Sequence, residues 1–335
     1  MKLLFSILLL ILASSARVLA QEAAPPVLDL PVDCDPSAEC SIQKYVDHDP
    51  GPGRLDYACG RLSRNGDTGT DFRLANYPAM DRGVAVLAAA DGVVRAVRDG
   101  MEDVSVRDID AASIEGREAG NAVAVTHGNG WETQYSHLKR GSIGVRVGDA
   151  VKAGDMLGEV GLSGNTEFPH VEFTVRRGGV AVDPFVGAGE FRLCGEATEP
   201  LWSEAALAKL AYRPVVILSS GFHGGPADAY EARTGAYDRA AVDAGAPALV
   251  FWVDLSGAQK DDRERLVITG PDGKELVRLD RALEKNNISW FVFAGAKKPE
   301  KGWKIGDYRA EYSLTRDGEV LAEKSQTLSL KAVRD

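Results

Sequence analysis

From residue 67 to residue 185 the chain is written in short apolar runs broken by Gly, Asp and Asn, and few stretches carry a helical period. Residues 84–87 and 92–97 read as strands. Residues 121–126 and 132–137 flank His127-Gly128-Asn129-Gly130, a hairpin turn by composition. Residues 171–175 and 180–182 form a second hairpin across Arg177-Gly178-Gly179. Residues 147–155 read as two tight turns around a very short strand. The pattern predicts an antiparallel β domain. Residues 101–120 interrupt it as a charged, irregular inserted loop.

Residues 195–226 read as a connector in which Ser203 caps a short helix through Leu210. Strand text then resumes at residues 248–255, 266–269, 290–293, 308–315 and 320–330, with Gly270-Pro271-Asp272-Gly273 as a turn. Residues 227–335 are predicted to form a small immunoglobulin-like β-sandwich. No cluster of catalytic residue types falls there, which suits a binding or spacing module. The expected fold class is therefore all-β, an antiparallel sheet domain followed by a sandwich.

The start of the chain has another character. Lys2 precedes an almost wholly apolar run over residues 3–12, and Val18 and Ala20 occupy the small-residue positions before a cut at Gln21. Residues 1–20 are predicted to be a secretory signal, because the run is short of the ~20 residues that span a bilayer. The mature protein is expected to be periplasmic or secreted, without a membrane segment after cleavage. A Cys-containing lead-in follows over residues 21–53.

The 335 residues suffice for two domains, and 44% hydrophobic with 26% charged residues is a soluble globular composition. The formal net charge of −10 argues against nucleic-acid binding, which needs a basic face. Cys34, Cys40, Cys59 and Cys194 lack a paired Cys-x-x-Cys spacing, and an even count in an exported chain predicts two disulfides. Four Cys allow three pairings; Cys34–Cys40 with Cys59–Cys194 is the favoured one.

Four motifs carry the chemistry: Asp67-Thr68-Gly69-Thr70-Asp71-Phe72, then Ala88-Ala89-Ala90-Asp91-Gly92-Val93-Val94, then Tyr135-Ser136-His137-Leu138, then the run from Gly161 through Pro169-His170-Val171-Glu172-Phe173. In this order they resemble the lysostaphin/LytM family of zinc endopeptidases over about residues 54–190. The resemblance implies a peptidase-type domain over residues 54–194 and a peptidoglycan substrate. The family binds zinc through a His four residues before an Asp and through the second His of a His-x-His pair. In a strand, residues i and i+2 face one side, so such a pair aims both rings into one cleft. Two further His residues act as base or as stabilisers of the tetrahedral intermediate.

Carried over position by position, the metal positions are Asp67, Asp71 and Glu172, and the auxiliary histidines are His137 and His170. Two of the three ligands have thus changed from imidazole nitrogen to carboxylate oxygen. Imidazole suits zinc, whereas carboxylates suit harder cations. Three converging carboxylates also need neutralising. A hard divalent cation, charged His137 and His170, or protonation would each serve; weakly held zinc ranks below these. Two functions follow from the resemblance. One is a non-hydrolytic relative that binds cell-wall peptide or regulates a cell-wall hydrolase. The other is an active endopeptidase cutting peptidoglycan cross-links with a non-standard metal site. The retained histidines keep the second open.

Overall fold

Period-two alternation builds the first unit. In this computed structural model, which describes residues 24–36, 38–188, 199–238 and 242–331, ten strands form it. They are β1 (Cys40–Lys44), β2 (Thr70–Leu74), β3 (Ala85–Leu87), β4 (Gly92–Arg98), β5 (Asn121–Gly128), β6 (Trp131–Leu138), β7 (Ala150–Val151), β8 (Met156–Glu159), β9 (His170–Arg177) and β10 (Val180–Val182). One sheet runs in the order β1-β2-β9-β6-β5-β4-β7, with β10 on β9, and β3 pairs with β8. In β9, Val171, Phe173 and Val175 are buried to 1% exposure or less and enter the core. Each such side chain contributes about 1.5–3 kcal/mol on burial. The alternate residues His170, Glu172 and Thr174 face a groove on the opposite side of the sheet. Phe72, Leu74, Tyr135, Val123 and Val125 complete the core face together with Phe185 and Trp202.

The predicted insertion over residues 101–120 contains two short 3₁₀ turns and borders this groove through Val106, Glu118 and Ala119. Among the described residues three short helices each begin on a side-chain cap. Asn76 caps α1 (Tyr77–Asp81), Ser203 caps α2 (Glu204–Leu207) and Asp228 caps α3 (Ala229–Arg233).

The second unit has seven strands: β11 (Val216–His223), β12 (Ala248–Ala258), β13 (Arg263–Thr269), β14 (Glu275–Ala282), β15 (Asn287–Lys297), β16 (Gly306–Arg316) and β17 (Glu319–Leu330). Sheets β11-β12-β15 and β14-β13-β16-β17 enclose one core. Phe251, Val253 and Leu255 of the first meet Leu266, Ile268, Tyr312 and Leu314 of the second. Of the segment read as a connector, residues 199–226 are described and structured. Leu201, Trp202, Ala206 and Leu210 belong to the first core, and β11 pairs with β12. Its apolar residues are claimed from both sides, which leaves little free linker.

A buried ionic chain joins the units. Asp254 of β12 is fully buried and binds Arg233 of α3 through two contacts of 2.8 and 2.7 Å. It also accepts from Arg73 of β2 at 3.3 Å. The Arg73 guanidinium further donates to Gln43 at 3.1 Å and lies 4.1 Å over the Phe168 ring. Burial pushes the Arg73 pKa down to about 10.

Cys34 and Cys40 form a disulfide. Cys194, the expected partner of Cys59, lies outside the described residues, as does the predicted signal over residues 1–20. Among the described residues no helix is long and apolar enough to cross a membrane.

Candidate functional site

Strand pairing brings the four motifs together. Across β2 and β9, Asp71 lies opposite Glu172 and Arg73 opposite His170. Across β6 and β9, Ser136 lies opposite Glu172. Asp67 sits just before β2, in the loop that leads into it. Gly69 keeps this junction tight, since a Cβ there would come within 2.8 Å of the Glu172 side chain.

Two side chains reach the groove by leaving the regular pattern. Along β6, Thr133 and Tyr135 are buried in the core side, and Gln134 and Ser136 share the other face, joined at 2.9 Å. Alternation would send His137 to the core. Its φ of +64° instead turns the ring into the groove. A left-handed conformation costs a non-glycine residue on the order of 1–3 kcal/mol, so the surrounding structure holds it. Its Nδ1–H donates to the Ser163 carbonyl at 2.8 Å.

The second departure is in β1. Ile42 pairs with Phe72, yet Lys44 pairs with Asp71, so two steps along β1 match one along β2. Such a bulge re-aims a side chain. Without it Lys44 would share the core face with Ile42. With it the Lys44 ammonium stands against the acidic motif. Nζ lies 2.9 Å from Asp71 Oδ2 as an ion pair and donates to Asp67 Oδ2 and Oδ1 at 3.2 and 3.3 Å. Only 8% of Lys44 is exposed.

The remaining contacts close the network. Glu172 Oε2 lies 3.5 Å from His137 Nε2, and Asp71 Oδ2 lies 3.5 Å from His170 Nε2. The two rings are 4.6 Å apart between centroids. His170 Nδ1–H donates to the Phe168 carbonyl at 3.0 Å, with Thr166 Oγ1 also 3.0 Å away. Burial, against the pull of Asp71, drives the His170 pKa down to about 4. Burial works to raise the carboxyls of Asp71 and Glu172. The Lys44 ammonium overcomes it at Asp71, and the His137 hydrogen bond does so at Glu172, so both fall below their ordinary values. At Asp67 burial prevails, with the Asp71 charge adding to it, and the carboxyl rises. Burial lowers Lys44, but Asp71 and Asp67 more than offset it, and the ammonium is retained.

All five residues singled out from sequence therefore line one groove of about 410 Å³. The sequence profile of Peptidase family M23 matches residues 66–184. Those residues belong to peptidase family M23. Among relatives, the DD-carboxypeptidase/endopeptidase Mpg of Neisseria meningitidis is 29% identical over 161 residues, 46% of this chain and 31% of Mpg. The cell division protein DipM of Caulobacter vibrioides is 42% identical over 57 residues, 17% of this chain and 9% of DipM. A zinc-containing peptidase from Vibrio cholerae is similar in structure, with 27% identity, a TM-score of 0.32, and coverage of 47% of this chain and 39% of that one. The chain spans about a third or less of the length of these curated relatives.

Zinc is the metal the M23 family implies, and the donor set here does not fit it. The three carboxylates expected to converge on one point do not form a cage. Asp67 and Asp71 converge on Lys44, while Glu172 turns to His137. Among the described residues no group of three or more His, Cys, Asp or Glu is arranged to hold a metal ion. A divalent ion on the same carboxylates would stand ~3 Å from the ammonium. At an effective dielectric of ~20 that repulsion is about 10 kcal/mol. Lys44 was not among the residues singled out from sequence. It is the sole Lys or Arg between residues 21 and 53, set between Gln43 and Tyr45 in an otherwise acidic lead-in. That isolation, beside three carboxylates lacking a counter-charge, was the available signal.

Proposed function

We propose that this chain is an exported, peptidoglycan-directed protein whose M23 groove holds cell-wall peptide without cutting it, as a binder or as a regulator of a cell-wall hydrolase. The reading rests on the donor set at the three ligand positions. Asp67, Asp71 and Glu172 replace a two-imidazole, one-carboxylate set, and each already has a cationic or imidazole partner. Zinc-dependent hydrolysis needs a metal with an open position to activate water. The groove around this site is kept, walled by polar side chains such as Thr68, Gln134, Asn165 and Thr174 that suit an extended peptide backbone. The names of the relatives, a DD-carboxypeptidase/endopeptidase and a cell division protein, agree with a cell-wall setting. The C-terminal two-sheet unit, read as an immunoglobulin-like sandwich, braces the groove through Arg73 and Asp254. A hydrolytic reading draws on His137 and His170, which face the same groove.

Co-sedimentation with purified sacculi tests the binding. The full mature chain is expected to pellet with sacculi. Thr68→Trp and Asn165→Trp, exposed positions at the groove, are expected to weaken this about tenfold by filling it. Undiminished binding by both variants would place the contact elsewhere.

A further inference from the structure

Carboxylates are themselves good ligands for hard cations, so exchanging two imidazoles for Asp67 and Glu172 does not by itself close a site to metal. Something else must neutralise the acids. The groove holds a cation of the protein's own, delivered by a β-bulge and bonded to both Asp67 and Asp71.

We infer that Lys44 is the resident cation of this site: its ammonium supplies the positive charge where M23 chemistry would need a metal, and it keeps metal out even when the missing imidazoles are put back. The geometry supports a fixed occupant rather than a passing contact. The Lys44 backbone is held in the sheet by pairing with Asp71, and the side chain is enclosed. The acids have no second arrangement to offer. Glu172 is engaged by His137, and Asp71 is 1% exposed and already contacts both Lys44 and His170. An incoming ion would have to displace an ammonium already paired with both acids on the groove wall. The substitutions at Asp67 and Glu172 and the placement of Lys44 then form one solution, in which an ammonium with carboxylate partners replaces a metal with imidazole partners.

The inference rests on reading the groove as non-hydrolytic, but its test reads metal affinity and not cell-wall binding, so either can fail alone. Chelator-washed protein is titrated calorimetrically with zinc, and separately with manganese, in three forms: the natural chain, Asp67→His/Glu172→His, and Lys44→Met/Asp67→His/Glu172→His. The natural chain is expected to take up neither ion. The double variant is expected to bind zinc poorly. The triple variant is expected to bind it at least about 100-fold more tightly than the double, because the repelling charge is gone. Circular dichroism reports folding, and Lys44→Gln replaces Lys44→Met if the first triple variant is unfolded. Zinc or manganese uptake by the natural chain with Kd below about 1 μM overturns the inference. So does a double variant that binds zinc as tightly as the triple.

Discussion

Replacing Lys44 by Met is expected to destabilise the protein by about 3–5 kcal/mol, the usual cost of removing one partner of a buried ion pair. Met preserves most of the side-chain volume, so the loss is electrostatic. It leaves Asp71, 1% exposed, without its 2.9 Å partner, and Asp67 without the two hydrogen bonds from Lys44, keeping only that from the Arg64 N–H. The two acids then face each other and Glu172 in a poorly hydrated wall. Adding Asp71→Asn to Lys44→Met should recover a large part of the loss, because the strongest uncompensated charge goes with its partner. Coupling of about 1–3 kcal/mol between the two positions, measured by urea unfolding of the four forms, is the expected signature. A Lys44→Met loss under about 1 kcal/mol would show that the ammonium is dispensable.

Asp254→Ala is the second change with a large expected effect, and it reaches both units. Asp254 is fully buried and stands between two guanidiniums, of which Arg73 is 0% and Arg233 9% exposed. Its removal leaves two buried cations facing each other, at a cost of about 3–5 kcal/mol. Arg73 belongs to the M23 sheet and Arg233 to the C-terminal unit, so the loss falls on the joint between them. The natural chain is expected to unfold in one calorimetric transition, and Asp254→Ala in two. A single transition shifted by less than about 2 °C would mean that the apolar contacts of the joint suffice.

In the M23 unit β3 to β7, β9 and β10 were legible as turn-bounded apolar runs, whereas β1, β2 and β8 were not read as strands from the sequence. His170-Val171-Glu172-Phe173 announces its two faces in the residue types themselves. The C-terminal unit was legible in β12, β13, β15, β16 and β17, but β11, read as connector, and β14 were not. The β14 sequence Glu-Leu-Val-Arg-Leu-Asp-Arg-Ala is largely exposed at a sheet edge and carries too little apolar contrast. The stretch over residues 195–226 reads as a connector because its apolar residues serve two cores: Leu201, Trp202, Ala206 and Leu210 pack in the first, Val215 and Phe222 in the second.

The candidate site was legible through the resemblance of its four motifs to the lysostaphin/LytM family, and its electrostatics were not. The resemblance implied that Asp67, Asp71, His137, His170 and Glu172 share one site, and the structure has all five lining one groove. Two departures from regular geometry then decided what they do. The left-handed turn at His137 brings its ring to Glu172, and the β1 bulge brings Lys44 to the acids. Neither a positive φ at a histidine nor a bulge before a tyrosine leaves a mark in residue pattern. Both arise from long-range strand pairing, and a carboxylate triad read without Lys44 looks like a metal site.

The most direct measurement is the peptide profile of purified sacculi incubated with the full mature chain, with and without added zinc. The account predicts that the protein sediments with the sacculi and that the released and retained peptides match those of untreated wall in both conditions. Newly cut cross-links that appear with the natural chain and vanish with His137→Ala would contradict it, and would make this groove a working peptidase.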